Sequence, residues 1–319
     1  MIFEWPLWQI ALLVMAGLGL DALLGEPRRW HPLVGFGRVA QAVETRLNRG
    51  RIRTVRGIVA WCVVVLPWVV GAAYGLDWLA QHAPAVAWLG HALLLYWAIG
   101  LRSLREHTAA IATALAAGDL AMARQWTRYI VSRDTEQATP SDLAKAGIES
   151  LLENGNDAAF AALFCFVIGG GPAVVLFRLA NTLDAMWGYR NARFSAFGMW
   201  AARVDDVLNY IPARLTALSY ALLGQTRLAL HCWRTQAPAW PSPNAGPVMS
   251  AGAGALGLAL GGRACYDGIW EQRPPLGLGC EAQGEDIDRA WRLVRSTALA
   301  WCVLLGSAGA FMAWNGSRL

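Results

Sequence analysis

Residues 57–76, GIVAWCVVVLPWVVGAAYGL, run for twenty positions without a charged side chain. About 20 apolar residues wound as a helix cross the hydrocarbon core of a bilayer. Residues 83–101, interrupted only by His91, together with 158–177 and 296–317, are equally free of Asp, Glu, Lys and Arg. Residues 6–20 make a shorter run that continues through Asp21 to Gly25. Residues 207–225 are broken by Arg214, and 247–262 are short and rich in glycine and alanine. The pattern predicts an all-α, multi-pass integral membrane protein with about five or six spans, the weaker runs being buried among the others. The 319 residues are read as one membrane domain, 1–319, carrying a cytoplasmic helical segment at 102–157.

The rest of the composition agrees. Of the residues, 56% are hydrophobic and 15% charged, against roughly 25% charged in soluble domains. This excludes disordered, fibrous and ordinary cytosolic classes. The net charge of +5 comes from dispersed arginines, many at the ends of apolar runs, so no nucleic-acid partner is expected. Residues 26–56 hold eight arginines and two acids, while 77–82 hold no Lys or Arg. The positive-inside rule therefore puts 26–56 and the segment after Leu101 in the cytoplasm and the N-terminus outside. No cleavable signal is expected, because Met1-Ile2-Phe3-Glu4 lacks a basic region. The six cysteines are scattered without a C-x-x-C pair and read as small apolar residues.

Residues 102–157 read as helices: 103–117, a turn at Gly118-Asp119, then 120–132. A new helix starts at Thr139-Pro140-Ser141-Asp142, with Thr as N-cap, Pro at N1 and an acid at N3. The run 158–177 is broken by Gly169-Gly170-Gly171-Pro172. Both a re-entrant helical hairpin and a single kinked span fit that break.

Polar residues crowd between Arg133 and Arg214. Arg133-Asp134-Thr135 comes first. Glu149, Glu153 and Asp157 then recur every four residues, sharing a face if the helix persists. Like charges at that spacing repel, and near a bilayer they need Mg²⁺ or arginine as compensation. Arg178, Asn181, Thr182 and Asp184 follow, then Tyr189, Arg190, Arg193, Arg203, Asp205, Asp206, Asn209 and Arg214. Guanidinium groups grip phosphate or carboxylate bidentately; ordinary salt bridges are the plain alternative for each. Upstream, Asp21 and the segment Gly25-Glu26-Pro27, Arg28 and His31-Pro32 end the first run, and downstream Ser242-Pro243-Asn244 makes a rigid turn. Lys145 is the only lysine and lies outside any P-loop pattern. Gly252–Gly257 matches G-x-G-x-x-G without a preceding strand; close helix packing along Ala253, Gly257 and Gly261 explains it better.

Taken in order, these motifs resemble the adenosylcobinamide-phosphate synthase family of cobalamin biosynthesis. The resemblance rests on residues 21–27, 31–35, 132–135, 149–154, 181–186, 188–190, 205–215 and 242–244. It departs from the common pattern at small residues: Ser132, Ala158, Ala162 and Ala185. It implies a bacterial inner-membrane enzyme that joins adenosylcobyric acid to 1-amino-2-propanol or its O-phosphate, consuming ATP with Mg²⁺. Other membrane enzymes of late cobalamin assembly, and the lipid bilayer itself, are the implied partners. On this resemblance Asp134, Glu153, Asp184, Asp205 and Asp206 are the catalytic carboxylates, and Glu153, Asp157, Asp184 and Asp205 the Mg²⁺ ligands. Arg133, Arg178, Arg203 and Arg214 would hold phosphates or the propionate, and Asn154, Asn181 and Asn209 would orient ligands. Thr135, Thr182, Tyr189, Ser242 and Asn244 complete the substrate-binding set. A Mg²⁺-dependent membrane phosphotransferase and a small-molecule transporter are the competing readings.

Overall fold

The computed structural model describes residues 5–26 and 32–316; Pro27, Arg28 and His31 of the first motif lie outside them. The chain begins with helices α1 (Leu7–Leu24), α2 (Pro32–Leu47), α3 (Arg53–His82) and α4 (Pro84–Ala98). Helices α5 (Leu101–Ala116), α6 (Leu120–Arg128) and α7 (Pro140–Gly155) follow. A π turn (Asn156–Phe160) leads into α8 (Ala161–Trp187). Then come α9 (Met199–Leu223), α10 (Thr226–Gln236) and α11 (Ala245–Leu256). A small sheet, β1 (Leu258–Tyr266), β2 (Ile269–Leu276) and β3 (Cys280–Glu281), precedes α12 (Asp286–Gly316). Five helical stretches are long and apolar enough to cross a membrane: Leu7–Leu24, Arg53–His82, Pro84–Ala116, Pro140–Trp187 and Asp286–Asn315. Val59, Val63, Leu66 and Trp68 on α3, and Val303, Leu304 and Phe311 on α12, are exposed, which is the surface a bilayer covers.

The contacts divide into two compact units: Met1–Gly100 with Ala161–Asn209 and Cys302–Leu319, and Leu101–Phe160 with Tyr210–Trp301. In the first unit, Phe36, Trp61, Val64, Leu183, Trp187 and Phe197 pack α2, α3, α8 and the start of α9 around one core. Gly57 lets α3 approach the chain at Phe197, where a Cβ would fall 2.0 Å from the carbonyl oxygen. The Gly-Gly-Gly-Pro break sits at Gly170, whose φ of 64° interrupts α8. The freed N–H of Gly171 donates to Nδ1 of buried His91 at 2.9 Å. That nitrogen is therefore the unprotonated one. A histidine inside an apolar run is explained by the backbone donor that the break releases.

In the second unit α7 starts at Pro140 as predicted, while α6 ends at Arg128, short of the predicted 132. Gly118 turns at φ 71°, and Thr139 with Asp142 forms a full capping box on α7. Every residue of α11 is buried, so the short Gly/Ala run is packed inside the unit. The glycines that allow this are Gly252, against Leu152, and Gly254, where a Cβ would sit 2.8 Å from the Ala229 backbone. The expected small-residue face along 253, 257 and 261 is corrected. Gly257 ends α11 in the left-handed conformation and Gly261 lies in β1.

The sheet was not foreseen. Strands β1 and β2 pair antiparallel, and β3 adds two residues parallel to β1. Asp267 and Gly268, at φ 50° and 77°, make the two-residue turn. Asp-Gly between apolar residues is a strong short-range hairpin signal. Here the flanking Gly/Ala run masked the alternation expected of a strand.

Candidate functional site

In the second unit, Glu149 is the pivot of a buried ion cluster. Its carboxylate accepts from Arg133, from Arg273 at 2.8 and 3.2 Å, and from the Gly261 N–H at 2.8 Å. The Glu149 side chain is 4% exposed, and those of Arg133 and Arg273 are 13% and 12%. Buried ions persist when paired and hydrogen-bonded, and here every element contributes. Glu149 comes from α7, Arg133 from the loop before it, Arg273 from β2, and Gly261 from β1, where Pro274 of β2 is skipped opposite Gly261–Gly262. The irregularity turns one ladder N–H toward a side chain. Beside this cluster lies a cleft of about 350 Å³ lined by Ser132, Arg133, Glu153, Asn154, Trp240, Ser242 and Arg273, among others. A second cleft of about 320 Å³ shares Arg133 and includes Asp134, Thr135, Arg263 and Trp270.

Several predicted residues brace this region. Asp134 Oδ2 accepts the Gly268 N–H at 2.8 Å, and the Asp134 N–H donates to the Cys265 carbonyl at 2.8 Å, pinning the loop to the hairpin turn. Thr135 donates to the Arg124 carbonyl at 3.1 Å. Asn154 donates to Ser150 Oγ at 3.0 Å. Arg214 lies over the Tyr210 ring at 3.5 Å and donates to Asn244 Oδ1 at 2.9 Å and the Pro243 carbonyl at 3.0 Å. Ser242 Oγ accepts from the Ala245 N–H at 3.1 Å, securing the start of α11. The rigid turn is thus clamped by Arg214. Glu149 and Glu153 lie four residues apart on α7 and line one cleft; the expected extension of that face to Asp157 is corrected, because α7 gives way to the π turn at Asn156. Asp157 accepts there from Asn156 Nδ2 at 2.9 Å.

The first unit holds a different cluster. Asp205, 8% exposed, accepts from Asn181 Nδ2 at 3.2 Å and from Asn209 Nδ2 at 3.1 Å. Burial raises the Asp205 carboxyl above the ordinary range. The Asp184 charge raises it further, Asn181 and Asn209 pull it down, and Asp206 adds a smaller upward push. Asp206 is also raised by burial, against the pull of Arg190. Thr182 donates to the Arg178 carbonyl at 2.8 Å within its own helix. Arg178 lines an apolar groove of about 580 Å³ with Trp68, Trp97 and Leu179. Tyr189 is exposed, as is Arg203.

Among the described residues no three His, Cys, Asp or Glu side chains form a ready-made metal cage. Mg²⁺ is ordinarily held by one or two carboxylates, waters and substrate phosphates. Asp184 and Asp205, with amides orienting the latter, fit that donor set. Sequence reasoning had missed Arg273 and Gly261 and had placed Glu149 only as one acid of a face. The Asp-Gly turn was the one signal that could have brought Arg273 into register.

A model of the CobD/Cbib protein family matches residues 14–294. A protein of Stutzerimonas stutzeri named "Cobalamin biosynthesis protein CobD" is 55% identical, the match covering 93% of this chain and 97% of that one. The protein so named from Chromobacterium violaceum is 52% identical over 92% of this chain and 95% of its own. One from Rhodobacter capsulatus is 36% identical over 93% and 96%. No solved structure matches. Both the extent of the family match and the identity to these relatives establish that the chain belongs to the CobD/Cbib family.

Proposed function

We propose that this chain is a cobalamin-biosynthesis enzyme of the bacterial inner membrane. It forms the amide between the free propionate of adenosylcobyric acid and 1-amino-2-propanol or its O-phosphate, at the expense of ATP. The names of its relatives support the pathway. The observation that carries the chemistry is Asp205, buried beside Asp184 and held by the neutral amides of Asn181 and Asn209. Carboxylates braced by amides would suit an oxygen-ligated divalent cation.

A carboxylate is a poor acyl donor at neutral pH. In the proposed route the propionate oxygen takes the γ-phosphoryl group of ATP, releasing ADP. The amine then attacks the acyl carbon, phosphate departs, and the amine loses a proton. Mg²⁺, when bound, neutralises charge on the transferring phosphoryl group. Asp184 and Asp205 would hold it, with Asp206 alongside. Taken by itself, the second unit's cleft offers Glu153 to an amine and Arg133 to an anionic group. The arginine-rich segment 26–56 supports a cytoplasmic site, where ATP is available. Other membrane enzymes of late cobalamin assembly are the proposed neighbours.

The test uses the purified full-length chain with ATP, Mg²⁺, adenosylcobyric acid and either amine, followed by mass spectrometry. An amide product with release of ADP is expected. Folded protein that makes none would overturn the reading. A phosphodiester product would favour the phosphotransferase alternative.

A further inference from the structure

We propose that the cleft between α7 and the β1–β2 hairpin is the subsite for the small amine substrate, with Arg133 and Arg273 taking a phosphate and Glu153 an ammonium group. This rests on the ligase reading above. The cleft, about 350 Å³, is at the small end of ligand pockets, a size for a compact metabolite rather than for a corrinoid. Its charge is organised in two ends. Arg133 and Arg273 share the single carboxylate of Glu149, and the only other acid in the cleft lining is Glu153, whose charge faces both guanidinium groups. Glu149 is saturated by Arg133, Arg273 and the Gly261 N–H, which makes it the positioning residue for both guanidinium groups. Arg133 spends one N–H on Glu149 out of five, and it lines the cleft.

Glu153 lines the same cleft four residues after Glu149 on α7, about 6 Å of helical rise. Two guanidinium groups and a second carboxylate thus line one small cleft, so it offers groups of both signs to a ligand. Trp240, 5.8 Å from the Arg273 guanidinium, walls one side, and Ser242 offers a hydroxyl. The geometry points to a zwitterion carrying phosphate and ammonium, and it makes Arg273 a specificity-determining residue for the phosphorylated over the free amine.

The experiment compares the full-length wild-type chain in detergent with Arg273→Gln and Glu153→Gln. Loss of a charge-assisted hydrogen bond in R273Q is expected to raise KM for aminopropanol phosphate about tenfold or more. KM for free aminopropanol and for ATP should stay unchanged, and thermal protection by inorganic phosphate should disappear. E153Q should raise KM for both amines while phosphate protection persists; it leaves the Glu149 cluster intact and serves if R273Q does not fold. A rise in KM for ATP alone, or unchanged amine KM in both variants, would overturn the proposal. Protection by phosphatidylethanolamine nanodiscs but not by soluble aminopropanol phosphate would overturn it too, by assigning the cleft to a lipid headgroup. Wild-type protein without ligase turnover, yet protected by aminopropanol phosphate in an Arg273-dependent way, would sink the reaction and keep the subsite.

Discussion

Glu149 and Asp205 are both buried carboxylates on helices of this chain, and they are satisfied in opposite ways. Glu149 is gripped by two guanidinium groups and a backbone N–H. Asp205 is hydrogen-bonded by two side-chain amides, and its charged neighbours include Asp184 and Asp206. Arginine pairing neutralises a carboxylate and makes it structural. Amide pairing orients one without neutralising it, and so leaves it to bind a cation. The same residue class thus serves as a strut in one unit and as a candidate ligand in the other.

The contrast is broken most directly by neutralising each acid. Glu149→Gln strands two buried arginines and is expected to cost about 3–5 kcal/mol of stability, read as a lowered unfolding temperature in detergent. Asp205→Asn removes a charge pressed against Asp184, so its unfolding temperature should hold or rise. Its turnover should drop by roughly 10²–10³-fold, the scale of losing a preorganised electrostatic group. If D205N unfolded as readily as E149Q, the two carboxylates would be equivalent and the contrast would be lost.

Asn209→Ala sharpens the second half. Removing an orienting amide should raise the Mg²⁺ concentration for half-maximal activity about 10–100-fold at little cost to folding. A Mg²⁺ requirement identical to wild type would show that Asn209 braces the helix alone.

Glu44 supplies the smallest effect and a third case. It is buried, and Arg193 donates to it at 2.6 and 3.1 Å. The Arg193 hydrogen bond holds the Glu44 carboxyl below its ordinary value despite burial. The folded state therefore takes up a proton less readily than the unfolded one. Its stabilisation is complete above the ordinary carboxylate range, about pH 4.3, and is lost as pH falls through the lowered value. Arg193→Gln should flatten the acid limb of the plot of unfolding temperature against pH. An unchanged limb would mean that the pair contributes nothing measurable.

Much of the architecture was written in hydropathy and local chemistry. The charge-free run 57–76 lies within α3, and Thr139-Pro140-Ser141-Asp142 starts α7 with its full capping box, because spans and caps depend on residues close in sequence. The motif pieces around Asp134, Glu149, Asn181, Asp205 and Ser242 could be picked out for the same reason, since each is a short cluster of polar residues. Their division of labour could not be. Arg273 stands 124 positions from Glu149, and nothing local marks it as the partner. The irregularity at Pro274 of β2, opposite Gly261–Gly262, accompanies the turn of the Gly261 N–H onto the same carboxylate. His91 interrupts its apolar run, and only the break at Gly170 gives it a backbone N–H to accept. Sequence alone determined the membrane class, the spans and the list of candidate residues. Tertiary structure decided which carboxylates are paired with arginine and which with amides, because that choice depends on side chains brought together over long sequence separations.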